Sequence, residues 1–343
     1  MRTIAHVMFA PAPPGFSYFG TGAVGSRFSA AGEESEADEE GRGEVITAWE
    51  PGYALAIPGM LCGVLLLLLV GCVLGRAVHR EEFAHVGAGG AGWQVAWTLV
   101  LPKSFFDGQS PQGVTGLPGG GRLVFSGKNV LRVTADEFPF ASEGLLRDAL
   151  PAHLLAAGFT HMGDLAAAES EGQSLLFVPV EDEPKTTAGI LTLRFPDFTL
   201  HDSCHLPQDH APVVAVDPVS MVAYTSVFRG VSHINRYQMP GCRPLPPLVL
   251  RQGGNPVSLS AVQGASVHNG TLYLSTNQVA SNGGDIFALS QETGEISLAM
   301  TLRVGGGQAE MEGLDVRADD RGLRMLVLMN YYSNPVLLQL RPR

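Results

Sequence analysis

A short phrase returns along this chain about every fifty residues, and no other feature restricts its folding as much. Gln112-Gly113-Val114, His161-Met162-Gly163-Asp164, His210-Ala211-Pro212, Gln263-Gly264-Ala265 and Glu310-Met311-Glu312-Gly313 align with one another. Positions 113, 162, 211, 264 and 312 mark the copies, at steps of 49, 49, 53 and 48. A period near fifty, with several short strands in each unit, is the signature of an all-β propeller.

Each unit reads as a blade. In the fourth, Ala261–Val267, Thr271–Ser275, Asp285–Leu289 and Glu295–Met300 are short apolar runs separated by Asn-Gly, Gly-Gly and Thr-Gly punctuation. A four-stranded meander needs that alternation of strands and turns. The fifth unit has only three such runs, Gly313–Val316, Arg324–Met329 and Val336–Arg341. A sheet left one strand short exposes an edge. Trp93–Leu101 is a strand-like run with no blade of its own, and it is expected to close the fifth blade. Five blades are therefore expected over 93–343. A sixth is the alternative if Ser142–Ala157 hides a degenerate unit, but Glu143–Leu150 reads better as a short inserted helix.

Ahead of the repeats, Tyr53–Gly75 is 23 residues without a charge. As a helix it spans roughly 35 Å at about 1.5 Å per residue, enough for a bilayer core. A single transmembrane helix is expected, with Met60 as an alternative start that would make Met60–Ala77 a signal peptide. Residues 1–50, with the run Glu33-Glu34-Ser35-Glu36-Ala37-Asp38-Glu39-Glu40, read as an acidic disordered tail. The Gly-rich stretch over 76–92 reads as a linker. Arg76 and Arg80 against Arg42 favour a cytosolic propeller by the positive-inside rule. The sequon Asn269-Gly270-Thr271 and the cysteines Cys204 and Cys242 favour the opposite side, and the reading adopted is non-cytosolic.

From Glu81 onward the chain carries 17 Lys and Arg against 25 Asp and Glu, a balance of −8. With no basic stripe, nucleic acid is not expected as a partner. No phosphate loop and no Gly-x-Ser-x-Gly elbow is present. Gly87–Gly92 precedes a strand rather than joining a strand to a helix, so it is no dinucleotide fingerprint.

The chemistry is expected where the recurring phrase meets the propeller axis. Innermost strands line the centre, and their first residues face one mouth, which gathers Gln112, His161, Asp164, His210, Gln263, Glu310 and Glu312. Oxygen donors converging there suit a hard cation, so Asp164 and Glu312 are the candidate ligands of a Ca²⁺ ion. His161 and Glu310 are the candidate general acid and base, and Gln112, His210 and Gln263 the candidate ligand-binding residues. The competing expectation is that these polar groups satisfy backbone ends and one another, holding the blades in register. His201, Cys204 and His205 form a separate candidate zinc cluster.

Blade grammar such as Gly270-Thr271-Leu272-Tyr273-Leu274 and Glu292-Thr293-Gly294-Glu295-Ile296 resembles the β-propeller class that includes the NHL, SMP-30-like and YncE-like families. The resemblance covers roughly 93–343 and implies the fold. Asp164 and Glu312 resemble the axial calcium ligands of the SMP-30-like enzymes, although the surrounding pattern departs from theirs and no complete catalytic motif is present. The expected function is a membrane-tethered module binding a protein or small ligand, and the alternative is a calcium-dependent hydrolase or lyase acting in the central funnel.

Overall fold

The computed structural model describes residues 92–137, 140–277, 283–304, 309–331 and 334–343. The expected acidic tail, the apolar segment 53–75 with Met60, and the linker up to residue 91 lie outside the described residues. Among the described residues no helix is long and apolar enough to cross a membrane.

Among the described residues five antiparallel blades follow one another along the chain, with a separate two-stranded ribbon of Arg251–Gln252 and Asn255–Pro256 between the third and the fourth. Blade 1 is Pro111–Gly116, Arg122–Gly127, Val130–Ala135 and Ser142–Arg147. Blade 2 has Gln173–Asp182, Ala188–Arg194 and Thr199–Leu206, and the first of these pairs on its inner side with both Phe159–Met162 and Ala166–Ser170. Blade 3 is Ala215–Asp217, Val222–Thr225, His233–Gln238 and Arg243–Val249. Blade 4 is Val262–His268, Thr271–Asn277, Gly283–Ser290 and Ile296–Arg303. Blade 5 takes Ala309–Asp319, Gly322–Tyr331 and Asn334–Pro342 from the end of the chain and Trp93–Val100 from before blade 1. Trp93 pairs with Pro342 and Val100 with Val336, so the edge foreseen in blade 5 is covered.

Blades bury both faces, and the two-residue period of a strand divides its side chains between two neighbours. Leu191 and Val178 pack towards blade 1, whereas the adjacent Ile190 and Phe177 pack towards blade 3. The same division supplies five separate apolar clusters, one at each junction between successive blades. The junction of blades 5 and 1 is built from Leu326, Leu328, Leu337, Phe125 and the pair Phe105-Phe106, which closes the ring.

Two local expectations are corrected. Ser142–Arg147 is the outer strand of blade 1, paired from Val130↔Arg147 to Thr134↔Ser142, and not a helix or a sixth blade. Leu145 and Leu146 suit either conformation, and the free edge of Val130–Ala135 decides it. The helix lies further on, at Ala152–Ala156, with Pro151 as its extended N-cap residue (ψ 146°), which has no N–H to leave unpaired.

At the axis one residue touches every blade. Asp164 belongs to blade 2, and its carboxylate accepts hydrogen bonds from the N–H groups of Val114 (3.1 Å), Ala265 (2.9 Å), Leu314 (3.1 Å) and its neighbour Leu165 (3.1 Å). Its own backbone bonds blade 3, donating to the Pro212 carbonyl (2.9 Å) and accepting from the Val214 N–H (3.0 Å). The strands around it approach too closely for side chains. A Cβ on Gly113 would lie 2.6 Å from the Asp164 Cα, and one on Gly313 would lie 2.8 Å from the Gly113 Cα. This crowding is the physical reason for the recurring glycines.

Away from the axis, Cys204 on the outer strand of blade 2 and Cys242 in the last turn of blade 3 form a disulfide, with Cα atoms 6.1 Å apart. That separation is ordinary for a disulfide.

Candidate functional site

Among the described residues, a cavity lies at each end of the inner strands. The one at their N-terminal ends, termed the upper mouth, has a volume of about 400 Å³. Gln112, His161, His210, Gln263, Glu310 and Glu312 all line it, together with Glu181, Lys185, Lys128, Glu183, Phe228 and Asn330. Six of the seven residues singled out from the repeat thus meet in one place. Asp164 is the exception, since it is fully buried below the mouth.

One side of the mouth is organised by Glu181, at the end of the long second strand of blade 2. Its side chain is only 1% exposed. Oε1 meets His161 Nδ1 at 2.7 Å and also accepts from the Lys185 ammonium, while Oε2 meets His210 Nε2 at 3.1 Å and accepts from the Ala211 N–H at 3.2 Å. Lys185 is delivered by the turn after the strand, which Asp182 holds by accepting from the N–H groups of Thr186 (2.6 Å) and Thr187 (3.0 Å). Burial would raise the Glu181 carboxyl, but the hydrogen bonds from His161, His210 and Lys185 outweigh it and hold the group far below the usual glutamate range.

The other nitrogen of His161, Nε2, lies 2.6 Å from Gln112 Oε1. The Gln112 amide is oriented by donation from its Nε2 to the Pro111 carbonyl (2.7 Å), so its oxygen faces the ring. Both nitrogens of His161 are therefore engaged, which suits it to positioning more than to free proton exchange.

Blade 5 supplies the opposite side. Glu312 is 5% exposed, and its Oε2 accepts from Gln263 Nε2 at 2.9 Å. Asn277 donates to the Gln263 carbonyl and accepts from the Met311 N–H (2.7 Å), which fixes the Gln263 amide. Glu310 is exposed and hydrogen-bonded to Glu312. Burial, and then the neighbouring Glu310 carboxylate, push Glu312 up to about 8. At neutral pH Glu312 keeps its proton.

This gives a pH-dependent stability with a definite sign. A carboxyl raised on folding stabilises the fold below its unfolded value and loses that contribution as pH rises through the folded value. For Glu312 the window runs from 4.5 to about 8. Glu312→Gln, neutral at every pH, is expected to gain stability relative to the parent across that window. The gain should reach on the order of 3–5 kcal/mol, from about 1.4 kcal/mol per unit of displaced pKa. Urea denaturation at pH 5 and pH 9 measures it, and equal differences at both would contradict it.

The donors around Asp164 do not fit the axial calcium ion expected from Asp164 and Glu312. Four N–H groups point their positive ends at the Asp164 oxygens, where a cation would have to sit. Burial also pushes the Asp164 carboxyl well above the usual range, against the pull of the Ala265, Val114 and Leu314 amides. Among the described residues no group of three or more His, Cys, Asp or Glu side chains is arranged to hold a metal ion. The zinc reading of His201, Cys204 and His205 fails for a different reason, because Cys204 is consumed by its disulfide.

Glu181 and Lys185 escaped the sequence reading because they lie off the recurring phrase, at the far end of a second strand. The available signal was Glu181-Asp182-Glu183-Pro184-Lys185, a charged cluster ending the apolar run Leu175–Val180.

No protein-family model matches the chain, and no curated protein matches it in sequence. Solved structures do resemble it. A glutaminyl cyclase from Myxococcus xanthus aligns over 73% of this chain and 96% of its own, with 14% identity and a TM-score of 0.50. A GH43_1 enzyme from Xanthomonas citri, complexed with xylose, aligns over 71% and 90%, with 12% identity and a TM-score of 0.49. A luciferin-regenerating enzyme aligns over 77% and 93%, with 13% identity and a TM-score of 0.45. At such identities the likeness concerns the β-propeller fold alone.

Proposed function

We propose that the upper mouth binds a small polar ligand and that the chain presents it as a membrane-tethered module through the apolar segment 53–75. The observation that carries this reading is the convergence of the recurrent polar residues of all five blades, with Glu181 and Lys185, on one cavity of about 400 Å³. That volume suits a small molecule. The walls offer amide, imidazole, ammonium and carboxyl groups already fixed by one another, so a ligand meets a preorganised surface. The tether is supported by the 23 uncharged residues of Tyr53–Gly75.

A second reading, acid–base catalysis, is favoured by the Glu310–Glu312 pair alone. A carboxyl titrating at about 8 can deliver a proton at neutral pH, and the exposed Glu310 is hydrogen-bonded to it at the cavity wall.

The test is a thermal-shift screen of amino acids, small amines, organic acids and calcium against the purified chain. A ligand at a hundred times its Kd stabilises by about 2.7 kcal/mol. At least one organic class is expected to raise Tm, with the shift lost in Glu310→Ala and in Gln112→Ala, while calcium alone leaves Tm unchanged. A screen without hits, or hits indifferent to both substitutions, overturns the binding site. The second reading is tested on any hit: turnover abolished by Glu312→Gln with the thermal shift retained supports catalysis, and a bound hit that never turns over removes it.

A further inference from the structure

We propose that Asn269 is an N-glycosylation site, carrying an oligosaccharide on the lower rim of blade 4. Asn269-Gly270-Thr271 is the only Asn-x-Ser/Thr triplet in the 343 residues, and its middle residue is not proline. The structure places Asn269 at the tip of the hairpin between Val262–His268 and Thr271–Asn277, exposed and in a left-handed conformation (φ 47°) followed by Gly270 (φ 73°). Among the described residues its side-chain amide has no protein partner. An attached glycan would extend into solvent without displacing any strand.

Asn-Gly is also the preferred dipeptide of a two-residue hairpin, so turn geometry by itself accounts for Asn269 and Gly270. It is silent on Thr271, the hydroxyl residue the triplet requires. The second observation is independent and lies 27 residues or more away in sequence. The Cys204–Cys242 disulfide joins blades 2 and 3, and such bonds persist in the oxidising secretory compartments where asparagine is glycosylated.

The modification is a group transfer from an oligosaccharide activated as a lipid-linked diphosphate. Asn269 Nδ2 forms a bond to the anomeric carbon, the carbon–oxygen bond to the diphosphate breaks, and the lipid diphosphate leaves as the amide nitrogen loses one proton. No electron is gained or lost.

Placement gives the proposal a consequence. His268, next to Asn269, lines the second cavity, about 650 Å³ at the C-terminal ends of the inner strands, whose floor holds the ion pairs of Asp136 with Arg317 (2.7 Å) and Arg324 (2.8 Å). A glycan on Asn269 would crowd that end and leave the upper mouth open.

The test is expression of the full chain in cultured animal cells, followed by digestion with peptide N-glycosidase and mass spectrometry of the peptide containing position 269. The expected result is a mobility shift on digestion and conversion of Asn269 to aspartate. Asn269→Gln and Thr271→Ala should abolish both, and Thr271→Ser should keep them. A chain that forms the Cys204–Cys242 bond with Asn269 unmodified overturns the proposal. So does a chain recovered with both cysteines reduced and no glycan.

Discussion

Asp164→Ala is expected to lower the stability of the propeller by roughly 4–8 kcal/mol, the largest effect of any single substitution considered. The carboxylate answers four buried backbone N–H groups from blades 1, 2, 4 and 5. Each buried donor left unpaired costs about 1–3 kcal/mol, and water entering the vacated space offsets part of the sum. At about 2–4 °C per kcal/mol for a domain of this size, Tm should fall by roughly 8–30 °C. Asp164→Asn preserves the shape but turns an NH₂ group against two N–H donors, so it should be nearly as harmful. Urea denaturation with the disulfide intact decides the matter. A loss below about 1 kcal/mol in both variants would mean that the cost of burying the carboxyl cancels its hydrogen bonds.

Opening the Cys204–Cys242 bond is expected to cost about 4 kcal/mol. The bond closes a loop of 38 residues, and the loop-closure entropy removed from the unfolded chain grows with the logarithm of that length. Calorimetry with and without a reductant measures the difference, and the Cys204→Ala/Cys242→Ala double variant serves as control. In the double variant the reductant should have no effect. An unchanged transition in the parent would show that the cross-link restrains a part of the chain already held by the apolar contacts of Ile190, Val216 and Tyr237.

The architecture was legible because it is periodic. A phrase returning every fifty residues fixes the blade count, and the orphan run at Trp93 together with a three-stranded last unit predicts the closing strand. The upper mouth was partly legible for the same reason, since Gln112, His161, His210, Gln263, Glu310 and Glu312 lie at equivalent points of a radial design. What failed depended on contacts that periodicity does not encode. Gly144-Leu145-Leu146 is equally compatible with a helix, and only the free edge of the neighbouring strand makes it extended. Asp164 reads as a metal ligand when its oxygens are counted, and as a structural acceptor once the glycine-rich strands bring their amides to it. Glu181 stayed hidden because it reaches the mouth from a second strand, through side-chain length and a turn.

Blade 5 also dictates when this protein can finish folding. The strand Trp93–Val100 emerges from the ribosome before every strand of blades 1 to 4, and its partner Asn334–Pro342 only after them. Until then an apolar ribbon containing Trp93, Val95 and Leu99 has no complement, and blades 1 to 4 can assemble only as an open arc. Synthesis at about 5–20 residues per second leaves that ribbon unpaired for roughly 10–50 seconds. A chain of this design needs protection against self-association during translation, and termination before Asn334–Pro342 is made should yield aggregates rather than a shortened propeller.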